Sequence, residues 1–231
     1  MNDYFDPKGH SITSAQFVEF YNDCYYLNNS DTVETVIETL LKADTLSPDD
    51  VMLILRWKLG RIDHKESQRQ GKPIKRNADN AFITYDGHGR ETDVKELCCY
   101  VSKNLGYLRS LNSKQQVLNK LVDDCNTQNI GTVYLITPLY FITKMEYPIY
   151  DRFAAIAIEA ITEGKKPGEE LHYKELPQKN EKSFRSLIDN ESSQYQRYIN
   201  QLYAQFEEGY KQTRDIDRAL WVYGHLFQIK D

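Results

Sequence analysis

Hydrophobic side chains recur along most of this chain at spacings of three and four residues, the period of an amphipathic helix. Phe17, Tyr21 and Tyr25 form one such stripe, and the Ala-rich run 151–161 continues the same pattern. A short apolar run at 81–85, just before the turn residues Asp86-Gly87, could form a short strand. We therefore expect a mainly α fold with about nine helices and at most a small β element near 81–86.

The local pattern predicts one helix start clearly and leaves another stretch ambiguous between helix and strand. Ser47-Pro48-Asp49-Asp50 combines a hydroxyl cap, proline at the first helical position and early acidic residues, so a helix should start there. The stretch from Gly131 to Thr143 is ambiguous, because its β-branched and aromatic residues suit a strand and Pro138 disfavours a helix interior.

Polar connections divide this helical pattern. Residues 61–90 are polar, basic and broken by glycines, and a second polar stretch covers 164–190. We expect a single helical domain over residues 1–231, with 61–90 as the candidate boundary if it has two lobes.

The overall composition is that of a globular protein, with 231 residues, 40% hydrophobic and 27% charged. No apolar run reaches the roughly 18 residues that span a bilayer, and the N-terminus lacks the apolar core of a secretory signal. The four cysteines form no CxxC pair and the five histidines show no metal-ligand spacing. We expect a cytoplasmic protein with no membrane partner, no metal and no cofactor.

Charge is distributed unevenly along the chain. Residues 56–76 hold eight basic and two acidic side chains, a net +6, whereas the other 21 basic and 32 acidic residues give the remainder −11. A basic segment in an acidic protein can bind DNA phosphates, although a solvated loop explains the same residues. The candidate nucleic-acid-binding residues in this segment are Arg61, Lys65, Arg69, Lys72, Lys75 and Arg76.

A glycine-rich turn, Asp86-Gly87-His88-Gly89-Arg90, offers a second way to bind an anion through converging backbone N–H groups. An ordinary turn before the next helix accounts for it equally well. The glycine-rich turn leaves open a further hypothesis, an enzyme that binds a phosphate-containing ligand.

Asp151 is the leading candidate for chemistry. Tyr147-Pro148 favours an extended approach, and Asp151 then stands where it can cap the helix that follows. A plain structural cap is the simplest explanation of this aspartate.

The arrangement around Asp151 resembles helix-hairpin-helix DNA glycosylases, such as the 8-oxoguanine and adenine glycosylases, over about residues 129–163 and 213–228. In that family a glycine-containing hairpin and an apolar helix lead to a proline-containing loop, whose last residue is a catalytic Asp that caps the next helix. Gly131-Thr132 matches the hairpin and Pro148 and Asp151 match the loop. Residues 129–231 would then form the glycosylase-like portion of the chain.

The resemblance implies that Asp151 stabilises positive charge on the sugar or activates water, and that Gly131 and Thr132 contact backbone phosphate. Bifunctional members carry a lysine just after the Gly-Thr pair, whereas this chain has Val133, so it would be monofunctional. The hairpin also departs from the family's LPGxG pattern, since residues 127–131 contain one glycine and no proline. The alternative hypothesis is a non-enzymatic helical interaction or accessory protein.

Tyrosine is unusually frequent, with 17 residues against 9 Phe and 2 Trp. Most of the tyrosines follow helical stripes, which predicts buried rings with bonded or hydrated hydroxyls. A surface subset that stacks on bases is the functional alternative.

Overall fold

The mainly α fold is confirmed by a computed structural model of the chain, in which the described residues form helices and two very small sheets. The structure describes residues 4–28, 31–62, 78, 91–125, 130, 132–173, 194–206 and 214–230. The β element predicted near 81–86 lies outside the described residues. The polar connection 61–90 is described only at Arg61, Ile62 and Ala78.

The described helices follow the predicted order along the chain. They are α1 (Ser14–Asn28), α2 (Asp31–Lys42), α3 (Pro48–Lys58), α4 (Glu91–Arg109), α5 (Lys114–Asp124), α6 (Thr132–Ile142), α7 (Arg152–Thr162), α8 (Gln194–Gln205) and α9 (Arg214–Gly224). No helix in the described ranges is both long enough and apolar enough to cross a bilayer.

The strands are two or three residues long. β1 (Tyr4–Phe5) pairs antiparallel with β2 (Ser11–Ile12), and β3 (Glu170–His172) pairs parallel with β4 (Gln228–Lys230). The last helix ends at Gly224, and the chain extends again to form β4 beside β3.

Helix α3 begins as its sequence predicts. The Ser47 hydroxyl accepts from the Asp50 backbone N–H, and the Asp50 carboxylate accepts from the Ser47 backbone N–H at 2.8 Å. The helix ends two residues before Gly60, whose φ of +64° is the left-handed conformation that favours glycine.

The ambiguous stretch 131–143 is helical where it is described, despite Pro138 inside α6. The Thr137 hydroxyl bonds to the Val133 carbonyl at 2.8 Å, within the same helix. Nearly every side chain from Leu135 to Ile142 is buried. A helix buried on all sides shows no amphipathic period, which is why the pattern could not identify it.

The chain divides into two compact units. Unit 1 comprises residues 1–27, 148–177 and 184–231, and unit 2 comprises residues 28–147 and 178–183.

In unit 1, α7 is the central helix and packs against both α8 and α9. Its Ala and Ile side chains are almost all buried. Gly224 permits the closest approach, because a Cβ at that position would collide with the Phe153 carbonyl oxygen. Unit 1 is therefore built around the helix that Asp151 caps.

In unit 2, α3 packs against α2, α4 and α6, and α6 packs in turn against α4 and α5. Buried Glu34 accepts a hydrogen bond from the Trp57 indole N–H at 2.8 Å. Helix α5 buries an apolar stripe that consists of Val117, Leu118, Leu121 and Val122.

Candidate active site

Asp151 is the N-cap of α7. Its backbone is extended (φ −126°, ψ 142°), and its Oδ1 accepts a hydrogen bond of 2.8 Å from the Phe153 backbone N–H. The side chain is half-buried. The start of α7 favours a negative charge there, because the unpaired N–H groups of the first turn carry partial positive charge. The geometry thus supports an ionised carboxylate at the surface of unit 1.

The three residues before Asp151 are buried although they form no regular structure. We call residues 148–151 the aspartate loop. Two tyrosines of α8 bind its backbone: the Tyr195 hydroxyl donates to the Pro148 carbonyl at 2.8 Å, and Tyr198 donates to Ile149 at a long 3.5 Å. Side-chain hydroxyls therefore supply hydrogen bonds to the buried Pro148 and Ile149 carbonyls.

Tyr150 completes this arrangement from within the loop. Its ring meets those of Tyr195 and Tyr198 edge-on, with centroids 6.3 and 5.3 Å away. Its hydroxyl lies 2.5 Å from the Tyr173 hydroxyl, just beyond β3. Burial, followed by the Tyr173 hydroxyl, raises the pKa of Tyr150 well above its ordinary value, so the phenol stays neutral.

A second group of aromatic rings lies where α7 meets α9. Exposed His225 stacks on half-buried Phe153, with centroids 3.4 Å apart and planes 20° apart. Trp221 approaches both rings, and its backbone carbonyl accepts from His225 Nδ1 at 2.7 Å. Arg152 lies 6.0 Å from the Phe153 centroid. Phe153 also donates to Asp151, so these rings adjoin the start of the helix that the aspartate caps.

The turn that leads from α6 toward the aspartate loop is conformationally unusual. Lys144 and Met145 both have positive φ, 51° and 71°, a region that costs a non-glycine residue roughly 1–2 kcal/mol. Backbone bonds from Met145 N–H to Tyr140 and from Lys144 N–H to Phe141 close the turn. This turn ends α6 despite its conformational cost.

The candidate DNA-binding residues are described only in part. Lys65, Arg69, Lys72, Lys75, Arg76 and Gly131 lie outside the described residues, as does the turn 86–90. Thr132 is the first residue of α6, and Arg61 follows α3 as a half-buried side chain.

The structure does bring Arg61 close to the start of α6. Burial raises the pKa of Tyr134, and the positive charges of Arg61 and Arg56 act against that increase. Both guanidinium groups therefore interact electrostatically with a side chain two residues beyond Thr132. One end of the basic segment therefore lies within electrostatic range of Tyr134 on α6, in unit 2.

The tyrosines around Asp151 are the contacts that the sequence did not identify. The sequence predicted buried rings with bonded hydroxyls, and Tyr195 and Tyr198 have both. It could not say which backbone they would bond to, because the α8 tyrosines and the aspartate loop are 47 or more residues apart.

Within the described part of the chain, no group of three or more His, Cys, Asp or Glu side chains could hold a metal ion. In comparisons with known proteins, no family model, curated protein or solved structure matches this chain.

Proposed function

We propose that this protein binds DNA and acts as a monofunctional N-glycosylase, with Asp151 as its catalytic carboxylate. The observation that carries the proposal is the placement of Asp151. It ends a buried, proline-containing loop that follows an apolar helix, and it caps the next helix, α7. This order of elements is the one that the resemblance to helix-hairpin-helix glycosylases requires around a catalytic aspartate.

The chemistry of such a site is a hydrolysis. Water adds to C1′ of the sugar as the C1′–N bond breaks, and the base leaves with the bonding electron pair and takes up a proton. Positive charge develops on the sugar, and an ionised carboxylate near C1′ stabilises it. A carboxylate has about four acceptor positions, so Asp151 can cap α7 and serve the reaction at once.

DNA binding would use two further features of the chain, the basic segment and the Gly131-Thr132 pair. Arg61, together with the basic residues up to Arg76, supplies charge for phosphate contacts that are independent of base sequence. Gly131 and Thr132 would contribute main-chain N–H groups. Because Arg61 and Arg56 act on Tyr134 just beyond Thr132, these two sets of contacts can serve the same stretch of backbone.

The exposed ring stack offers a surface for the base. A glycosylase must flip its target nucleotide out of the duplex, and aromatic faces then stabilise the extruded base. His225 is exposed and stacked on Phe153, which adjoins Asp151. The proposal names no particular base. It retains the cytoplasmic location that the cysteine pattern of the sequence favours.

The competing function is a helical interaction protein in which Asp151 is only a cap. The hydrogen bond from Phe153 N–H to Oδ1 favours it, because that bond is the complete signature of a structural N-cap. The two functions differ in whether the charge of Asp151 matters beyond the fold.

The direct test is a panel of short duplexes, each with one damaged or mismatched base, incubated with the protein and analysed for free base and for abasic sites. We expect at least one duplex to yield an abasic strand that breaks only after alkali treatment. Release from none of them, together with no duplex binding at low salt, would rule the proposal out in favour of the interaction protein.

A further inference from the structure

The three buried tyrosines that surround the aspartate loop have a role beyond filling the core. Phe would fill the same volume without introducing a hydroxyl that must be bonded when buried. The Tyr195 hydroxyl instead bonds to Pro148 and the Tyr198 hydroxyl reaches toward Ile149. Both bonds hold backbone within three residues of Asp151.

These contacts come from different parts of unit 1. Tyr195 and Tyr198 lie one turn apart on α8, and Tyr173 follows β3. Tyr150 connects the two elements, because its ring packs between the α8 tyrosines and its hydroxyl meets that of Tyr173. The loop is thereby held by α8 and by the segment after β3, whereas the Phe153 N–H bonds to the Asp151 carboxylate itself.

We infer that Tyr150, Tyr195 and Tyr198 are positioning residues that hold Asp151 where it can act on the sugar. This inference deepens the proposed function and rests on it for its catalytic meaning. A displacement of about 1 Å at a reacting group can cost on the order of 100-fold in rate, so fixing a loop carboxylate matters for the reaction.

The chain provides a matched control for this inference. Tyr223 is also buried in unit 1 and its hydroxyl also bonds to a backbone carbonyl, that of Lys165 at 3.2 Å. Tyr223→Phe therefore removes the same kind of bond as Tyr195→Phe, but away from the aspartate loop. Only the second substitution should affect Asp151.

The first measurement is amide hydrogen exchange in the wild type, Tyr195→Phe and Tyr223→Phe proteins, and it needs no substrate. We expect Tyr195→Phe to speed exchange at the Phe153 amide, which bonds to Asp151, by at least roughly tenfold relative to amides later in α7. Tyr223→Phe should leave that ratio unchanged. Equal exchange ratios in the two variants would overturn the positioning role, whether or not the protein is a glycosylase.

The second measurement uses a duplex that the wild type processes. Tyr195→Phe should lower the single-turnover rate constant at least roughly tenfold while the Kd for the duplex stays unchanged, because only the placement of Asp151 has altered. An unchanged rate constant would also overturn the inference while leaving the proposed function intact. If Tyr195→Phe does not fold, Tyr198→Phe, which loses a longer bond, is measured in the same way.

Discussion

At the scale of single residues, Asp151 has two properties with separate consequences, its hydrogen-bond acceptors and its charge. Capping α7 requires an acceptor for the Phe153 N–H, whereas stabilising a positive sugar requires a negative charge. Asn keeps the acceptor and loses the charge, and Ala loses both. The two substitutions therefore report on different roles of the same position.

We predict that Asp151→Ala lowers the free energy of unfolding by about 1 kcal/mol, whereas Asp151→Asn changes it by only a few tenths of that. Urea unfolding of the three proteins measures both values. Equal and large losses in both variants would mean that the charge itself stabilises the fold. That result would contradict the claim that capping requires only a hydrogen-bond acceptor.

His225 gives a second prediction for a single residue. Its exposed ring should stack on an extruded base, so His225→Ala should weaken binding to a duplex with a damaged base more than binding to a matched abasic duplex. The expected difference is about 1 kcal/mol or more, which corresponds to roughly fivefold or more in Kd. His172→Ala, which removes an exposed histidine on β3, is the control. Equal weakening for both duplexes would show that the ring stack does not bind the base.

At the scale of elements, the critical contact is the one between α7 and α9. Gly224 lies against the Phe153 carbonyl, at the end of α7 that carries Asp151. A side chain there would separate the helices at the point where the candidate site is built. Packed helices resist such insertion, because the interior has few voids to absorb extra atoms.

We predict that Gly224→Ala destabilises the protein by about 1–3 kcal/mol, as overpacking does. Gly106→Ala is the matched control, since Gly106 is also helical and a Cβ there would meet no atom within 4 Å. That control should stabilise α4 by roughly 0.5–1 kcal/mol, the usual gain from replacing a helical glycine. Thermal unfolding of both variants decides the matter, and a neutral Gly224→Ala would show that the close approach is dispensable.

The elements also show where sequence reasoning works and where it cannot. The start of α3 follows from Ser47 and Asp50 alone, because a capping box is a local interaction. Helix α6 could not be assigned with confidence, because its burial on all sides depends on neighbours that the local pattern does not contain. Asp151 was identifiable for the same reason as Ser47, while its tyrosine partners depend on tertiary contacts.

At the scale of the whole molecule, the net charge of −5 conceals a +6 segment, and the salt dependence of DNA binding should come mainly from that segment. Each phosphate contact contributes about −0.9 to the slope of log K against log salt concentration. We predict that Lys72→Ala combined with Lys75→Ala reduces the slope by up to about two contacts. Lys8→Ala with Lys103→Ala, the same charge change elsewhere, should leave it unaltered, and equal effects of both pairs would argue against a localised site.

The pH dependence of stability is a second property of the whole chain. Burial raises the pKa of Cys98 and of Cys125 to about 12 each. Burial also raises the pKa of Tyr150 well above the ordinary value of a phenol. In the unfolded state, thiols titrate at about pH 8.5 and phenols at about pH 10. As the pH rises, the unfolded state therefore releases these protons before the folded state does. The stabilisation is complete below about pH 8.5 and is lost progressively toward pH 12.

We therefore predict that the unfolding temperature falls as the pH rises from about 8.5, and that Cys98→Ala with Cys125→Ala flattens this dependence. Exposed Cys99 is the matched control, and Cys99→Ala should leave the profile as it is. A profile equally steep in all three proteins would mean that the thiols of buried Cys98 and half-buried Cys125 contribute nothing to it.

The central claim is that the charge of Asp151 drives cleavage of the N-glycosidic bond. The measurement that tests it most directly is the single-turnover rate of base release by the wild type and by Asp151→Asn, on one duplex and with equal folding shown by urea unfolding. The account predicts a rate at least roughly 100-fold lower in Asp151→Asn, with duplex binding retained. Equal rates in the two proteins would contradict it and leave Asp151 as a helix cap.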